Sequence, residues 1–161
     1  PINSAKGEYE SPIRQNVYDQ IKAQYRYRLS QWQLTTLGQW HFVQTDEGKE
    51  KGYMLAQDLR WSTSNEKLTL TTRYALFNTS DYEARLYAYE PHVLYMFSVP
   101  AFSGQGSRYL LLCNYKLKKY LHLWLRAARL HYDNRETISS GNNEIDSNKK
   151  TVFTVQLRLK F

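Results

Sequence analysis

Residues 151–161 read Thr-Val-Phe-Thr-Val-Gln-Leu-Arg-Leu-Lys-Phe. Apolar side chains occupy alternate positions from Phe153 to Phe161, and the positions between them carry Thr, Gln, Arg and Lys. Because successive side chains of a β-strand point to opposite faces, this stretch predicts a strand with one apolar and one polar face. A helix, which turns once every 3.6 residues, would mix the two kinds of side chain on each face.

The same alternation runs through most of the chain and predicts an all-β fold. Two alternating runs separated by Ser30 and Gln31 predict a hairpin. Between residues 83 and 99 the alternation is inconsistent, and Pro91 is not suited to a central strand, so we predict two strands that meet at a tight turn there. Nine antiparallel strands are then expected, at residues 15–29, 32–44, 52–63, 67–77, 83–90, 92–99, 107–117, 120–132 and 149–161.

The predicted connections differ in length between the two ends of the sheet. Turns at one end are short, whereas most loops at the other end are longer and polar, which is typical of an outer-membrane barrel. Most predicted strands have about 10–15 residues, more than the usual 5–6 and enough for the roughly 9–11 that a membrane-spanning strand needs. We therefore predict an antiparallel transmembrane β-barrel. A soluble β-sandwich, whose strands alternate in the same way, is the alternative.

Aromatic residues make up 15 % of the chain, which argues against disorder. The mean hydropathy of −0.68 is consistent with averaging over an apolar and a polar face. Many of the aromatic residues share the apolar alternation near the predicted strand ends, where rings would lie at the two membrane interfaces. These predicted lipid-facing residues are Tyr25, Tyr27, Trp32, Trp40, Phe42, Trp61 and Phe161.

Lys and Arg outnumber Asp and Glu by 22 to 15, and the formal net charge is +7. Much of the excess shares the polar alternation, so a barrel lumen lined by these positions would be positively charged and favour anions. In the alternative interpretation, the same side chains pair with carboxylates on further strands or on a plug. The predicted lumen-facing residues are Lys22, Arg26, Arg28, Arg60, Arg73, Arg126 and Arg158.

Patterns of common catalytic and metal sites are missing from the sequence. Its four histidines lack metal-binding spacing, its single cysteine, Cys113, cannot form an internal disulfide, and no nucleophile elbow occurs. Residues 133–146 contain carboxylates of the kind that bind Ca²⁺, but without the spacing of a known calcium loop. We predict no catalytic residue, metal or cofactor, and therefore no enzymatic activity.

The C-terminal residues resemble the assembly signal of bacterial outer-membrane β-barrels, carried here by Phe153, Val155, Leu157, Leu159 and Phe161. A longer similarity covers roughly residues 50–161. This region resembles the C-terminal barrel of bacterial outer-membrane proteins that carry helix-hairpin-helix repeats ahead of a large barrel. The stretches that carry the resemblance are RYALF at 73–77, DYEARLYAYE at 81–90, VLYMFSVPAF at 93–102, GSRY at 106–109 and DNRETISSG at 133–141.

The resemblance implies a location in the bacterial outer membrane, with membrane lipids and the assembly machinery as partners. Other outer-membrane subunits are possible partners, and nucleic acid is implied only by analogy, because residues 1–161 contain no helix-hairpin-helix repeat. Since nine is odd and bacterial single-chain barrels usually have even strand numbers, we expect the C-terminal part of a larger barrel. Residues 1–14 are predicted as a polar loop or linker, and 15–161 as barrel strands.

Two functions are compatible with these features. The first is a channel or transport barrel with a basic lumen. The second is a non-conducting barrel that serves as a subunit or anchor in a larger outer-membrane assembly. A soluble β-sandwich binding module is third, because it does not explain the aromatic residues at the strand ends.

Overall fold

The structure, a computed structural model, describes residues 17–45, 48–139 and 141–160. The predicted N-terminal segment 1–14 and the predicted lipid-facing Phe161 lie outside these residues. The fold is all-β and antiparallel, as the sequence predicts. The seven long strands are β1 (Val17–Leu29), β2 (Trp32–Thr45), β3 (Gly48–Ser62), β4 (Leu68–Thr79), β7 (Gln105–Lys118), β8 (Leu121–Tyr132) and β9 (Lys149–Leu159). They form one sheet in the order β1-β2-β3-β4-β7-β8-β9.

Two minor elements complete the secondary structure of the described residues. Strands β5 (Leu86–Tyr87) and β6 (Ala101–Phe102) form a separate antiparallel pair, and Gly141–Asn143 form one turn of 3₁₀ helix. No helix among these residues has the length and apolar character to span a membrane. Within the same part of the chain the sheet is open, because β1 and β9 each pair with a single neighbour.

Connections of unequal length lie at the two ends of the sheet. At one end, which we call the hairpin end, residues 30–31, 63–67 and 119–120 join neighbouring strands. The first turn is tight because Ser30 adopts a left-handed φ of 53°. At the other end, the loop end, the two longest connections are residues 80–104 and 133–148.

Two sequence predictions about these connections are wrong. The strands predicted at 83–90 and 92–99 are not in the main sheet, where β4 pairs directly with β7. Residues 80–104, which we call the covering segment, instead fold back over one face of the sheet. The connection between the strands predicted at 32–44 and 52–63 is also shorter than predicted, because β2 and β3 remain paired as far as Thr45 and Gly48.

The two faces of the sheet differ in chemistry and in what covers them. The apolar face carries large side chains that are open to the surroundings, such as Tyr25 (66 % exposed) and Phe153 (77 % exposed). The covering segment packs on the opposite face, which we call the charged face. Near the loop end, the sheet and the covering segment bury a small core that includes Phe77, Leu86 and Phe102.

Candidate functional site on the charged face

Strand register places all seven predicted lumen-facing residues on the charged face. One row of neighbours across the sheet contains Arg28, Arg60 and Arg126, and the next row contains Arg26 and Arg73. The remaining two occupy rows nearer the loop end and the hairpin end, where Lys22 faces Gln39 and Arg158 faces His122.

The predicted lipid-facing residues within the described chain share the apolar face. Trp32 and Trp61 are cross-strand neighbours near the hairpin end, with ring centroids 6.1 Å apart. Trp40 and Phe42 lie toward the loop end, as expected. Tyr25 lies in the half of β1 nearer the hairpin end, four residues before Leu29.

The covering segment leaves and rejoins the sheet at a closed neck. The amide of Thr79 donates to the carbonyl of Gly104 at 2.9 Å, and the amide of Gly104 donates to the Thr79 hydroxyl at 2.7 Å. Further along, the segment runs so close to β3 that a Cβ on Gly52 would collide with the carbonyl oxygen of Ala84. The backbone path of the segment is therefore set by direct contact with the sheet.

Glu90 joins the covering segment to two strands. Its carboxylate is fully buried and accepts two hydrogen bonds from Arg108 of β7, each 2.9 Å long. Arg126 of β8 donates to the same carboxylate at 2.8 Å and to the carbonyl of Pro91 at 3.1 Å. Because charge-assisted bonds to a carboxylate are stronger than neutral ones, this cluster is the main polar attachment of the segment.

A second arginine attaches the segment from the middle of the sheet. Arg73 of β4 makes a two-pronged ion pair with Asp58 of β3, at 2.5 and 2.7 Å. The same guanidinium donates to the carbonyl of Tyr89, next to Glu90. Three arginines of the charged face thus converge on residues 89–91.

His92 follows this attachment and begins the tip of the segment. Its Nδ1 accepts a hydrogen bond from the amide of Val93 at 2.9 Å. Burial, followed by the positive charge of Arg126, lowers the pKa of His92 below its usual value of about 6.5, and Glu90 acts in the opposite direction. His92, Arg73 and Asp58 line one cleft between the covering segment and the sheet, described below.

We expect the His92 imidazole to titrate below pH 6.5 and the folded tip to lose stability in acid. A lowered folded-state pKa means that the unfolded chain takes up the proton first, so stability falls as the pH drops from about 6.5 through the folded-state pKa. An NMR titration of the histidine side chains, assigned with His92→Gln, measures the midpoint. A His92 midpoint above 6.5 would contradict this prediction.

A cationic cleft lies between the covering segment and strands β1–β4 and β7. It has a volume of about 370 Å³, and the positively charged side chains around it are Lys22, Arg26, Arg60 and Arg73. Asp58, the one carboxylate that lines it in the described chain, is held by Arg73. This cleft and the Glu90 attachment are the main chemical features of the charged face.

The sequence prediction included Arg126 but missed Arg108 and Glu90, the carboxylate that pairs with both arginines. Glu90 lies just before Pro91, which led to its assignment to a turn between two strands. A usable signal was present, since Arg73, Arg108 and Arg126 share one face with few acidic residues. Such an excess of buried positive charge requires an acidic partner from outside the strands.

The other candidate ligands from the sequence do not converge. In the described chain, no group of three or more His, Cys, Asp or Glu side chains is arranged to hold a metal ion. In the acidic loop that follows β8, Asp133 lies 3.4 Å from His131. Cys113 is on the apolar face, in the same row as Leu125 and Val155.

No protein family, curated protein or solved structure matches the chain. The assignment of function therefore depends on the two faces of the sheet, the covering segment and the cationic cleft.

Proposed function

We propose that this chain forms part of the wall of a bacterial outer-membrane β-barrel, with the apolar face toward lipid and the charged face toward a positively charged lumen. The resemblance to the C-terminal barrel region of helix-hairpin-helix outer-membrane proteins belongs to this proposal. The observation that carries it is the reversed polarity of the sheet. Charged side chains lie on the covered face, whereas large apolar side chains lie on the open face.

Reversed polarity is difficult to reconcile with a soluble β-sandwich. In a sandwich the apolar faces of two sheets pack together, and the polar faces contact water. Here no part of the described chain packs on the apolar face, along which Tyr25, Leu55, Leu111 and Val155 are all exposed. An exposed apolar surface of this extent marks an interaction with a partner or a membrane.

The position of the apolar side chains supports a bilayer as that partner. On β1 the apolar run starts at Ile21. On β9 it starts at Phe153, whose row across the sheet reaches β1 at Tyr27, six residues further along. The end of the apolar run near the hairpin end shifts in the same direction. On β1 the run ends at Leu29, whose row reaches β9 at Val155, but on β9 the run continues to Leu159.

This drift has the size expected for tilted strands in a flat bilayer. Six residues over the six steps from β1 to β9 correspond to about one residue per strand. A shift of ~3.3 Å along the chain for every ~4.8 Å between strands means that the strands are tilted by about 35° relative to the normal of the apolar band. Outer-membrane barrels have strand tilts of about 35–45°.

A specific observation favours the second candidate function, a barrel that does not conduct. The covering segment lies on the face that would line the lumen, and Glu90 neutralises part of the positive charge of that face by pairing with Arg108 and Arg126. If the segment and further chain fill the interior, the barrel serves as an anchor or subunit. We place the channel first because Lys22, Arg26 and Arg60 keep their positive charges without a carboxylate partner in the described chain.

Reversal-potential measurements test the proposed channel. The full-length barrel protein that contains this chain is purified in detergent, checked for gel mobility that changes on boiling, and inserted into a planar bilayer under a KCl gradient. We expect a reversal potential that indicates preference for chloride, and a shift toward potassium in the double variant Arg26→Glu/Arg60→Glu, because the pore walls then lose positive and gain negative charge.

Three outcomes separate the candidates. Potassium preference in the unaltered chain would overturn the basic-lumen proposal. A folded, heat-modifiable protein without conductance would replace the channel by the non-conducting barrel. A protein that stays soluble without detergent, and whose gel mobility does not change on boiling, would overturn the membrane proposal altogether.

A further inference from the structure

The cationic cleft contains positive charge that the described chain does not balance. Lys22, Arg26 and Arg60 line it and make no ion pair there, whereas the Asp58 carboxylate is occupied by both prongs of Arg73. Like charges that share a partly enclosed space repel one another, and a bound anion removes this repulsion. The donors of these three side chains are therefore available to a ligand.

Sheet register sets the spacing of these charges. Arg26 on β1 and Arg60 on β3 lie on either side of β2, which presents the uncharged side chains of Gln33 and Thr35 between them. Backbones two strands apart are separated by roughly 10 Å, a gap that two arginine side chains can close around one anionic group. Guanidinium groups match the oxygens of a phosphate with paired donors, which a single ammonium cannot do.

An apolar part of the lining, which we call the apolar wall, comes from Tyr89 and Pro91 of the covering segment. His92 of the same segment also lines the cleft, and Leu37 of β2 and Leu112 of β7 contribute apolar side chains from the sheet. The volume of about 370 Å³ exceeds the space needed by an inorganic ion and falls within the range of small-molecule sites. A ligand that fills the cleft thus has a charged end and a less polar body.

We propose that the cleft binds a small organic phosphate, such as a sugar phosphate. The phosphate lies between Arg26 and Arg60, with Lys22 as a third charge, and the organic part lies against Tyr89 and Pro91. This inference rests on the proposed function, because it names the substrate class of the basic lumen.

Calorimetric titration of the full chain in detergent micelles tests the site directly. The probes are glucose 6-phosphate, inorganic phosphate and glucose. We expect glucose 6-phosphate to bind at least ~10-fold more tightly than either of the other two, since each lacks one of the two recognised parts. Arg26→Gln and Arg60→Gln should each weaken its binding by roughly 10- to 100-fold, the effect of losing a charge-assisted hydrogen bond.

Arg129→Gln provides the matched control, because it removes the same charge from the apolar face near the loop end. Its affinity for glucose 6-phosphate should equal that of the unaltered chain. Equal weakening by all three substitutions would overturn the site in favour of a general charge effect. Inorganic phosphate that binds as tightly as glucose 6-phosphate would overturn the role of the apolar wall.

The binding and conductance experiments distinguish failure of the proposed site from failure of the proposed channel. Absence of binding in a barrel that prefers chloride would overturn this inference alone, with the charges balanced by other parts of the chain. Binding that depends on Arg26 and Arg60 in a barrel without conductance would support the site and overturn the channel.

Discussion

Replacing Glu90 by Gln should release the covering segment from the charged face. The carboxylate is fully buried between Arg108 and Arg126, so its loss leaves two guanidinium groups without a counter-charge. Breaking a buried ion pair in this way costs about 3–5 kcal/mol. The strand ladder does not depend on Glu90, so we expect the loss to be confined to the covering segment. Hydrogen exchange in residues 84–102 should then become at least ~100-fold faster, while the strands keep their protection.

Glu83→Gln is the control for this experiment. It makes the same chemical change in the same segment, but Glu83 is half-exposed and lies 3.7 Å from Arg85. An exposed pair of this kind contributes at most about 1 kcal/mol, so exchange should change little. Unchanged exchange in Glu90→Gln would show that the apolar contacts of the segment, and not this cluster, hold it in place.

If the proposed barrel is correct, placing a lysine on the apolar face should destabilise the protein far more than placing one on the charged face. Tyr25 and Gln24 are neighbours on β1 that point to opposite faces, and both are exposed in the described structure. In a bilayer, Tyr25→Lys puts a charge near the middle of the apolar band and should cost about 2–4 kcal/mol of unfolding free energy. Gln24→Lys adds the same charge to the charged face, beside Lys22 and Arg26, and like-charge repulsion there should cost no more than about 1 kcal/mol.

Denaturant titration in lipid vesicles, followed by tryptophan fluorescence, measures both variants. The pair discriminates sharply because a soluble sheet would leave both side chains in water. Near-equal stabilities of Tyr25→Lys and Gln24→Lys would therefore count against contact with lipid.

The long strands could be predicted from sequence because their alternation reports directly on two different surroundings. In β9, for example, Phe153 and Val155 share one face and Thr154 the other, and register confirms this division. The covering segment shows the limit of the same reasoning. Leu86, Ala88 and Glu90 are buried while Tyr87 and Tyr89 between them are exposed, so this segment also alternates.

Alternation identifies an extended chain with two environments, but it does not identify the neighbour. The segment that contains Leu86 and Glu90 packs its side chains on the face of the sheet, whereas β9 pairs with β8 through backbone hydrogen bonds. The same limit applies to the site. The common face of Arg26 and Arg60 follows from their positions in the strands, but the ion pairs of Glu90 depend on long-range folding that no local pattern encodes.

The covering segment also sets a lower limit on the size of the proposed barrel. Strands tilted by about 35° take up ~6 Å of circumference each, so eight of them enclose a cylinder about 7.5 Å in radius at the backbone. Side chains alone fill such an interior. A chain segment that packs against the wall needs roughly another 10 Å in front of it. A barrel that contains residues 80–104 on its inner surface must therefore be built from clearly more than eight strands.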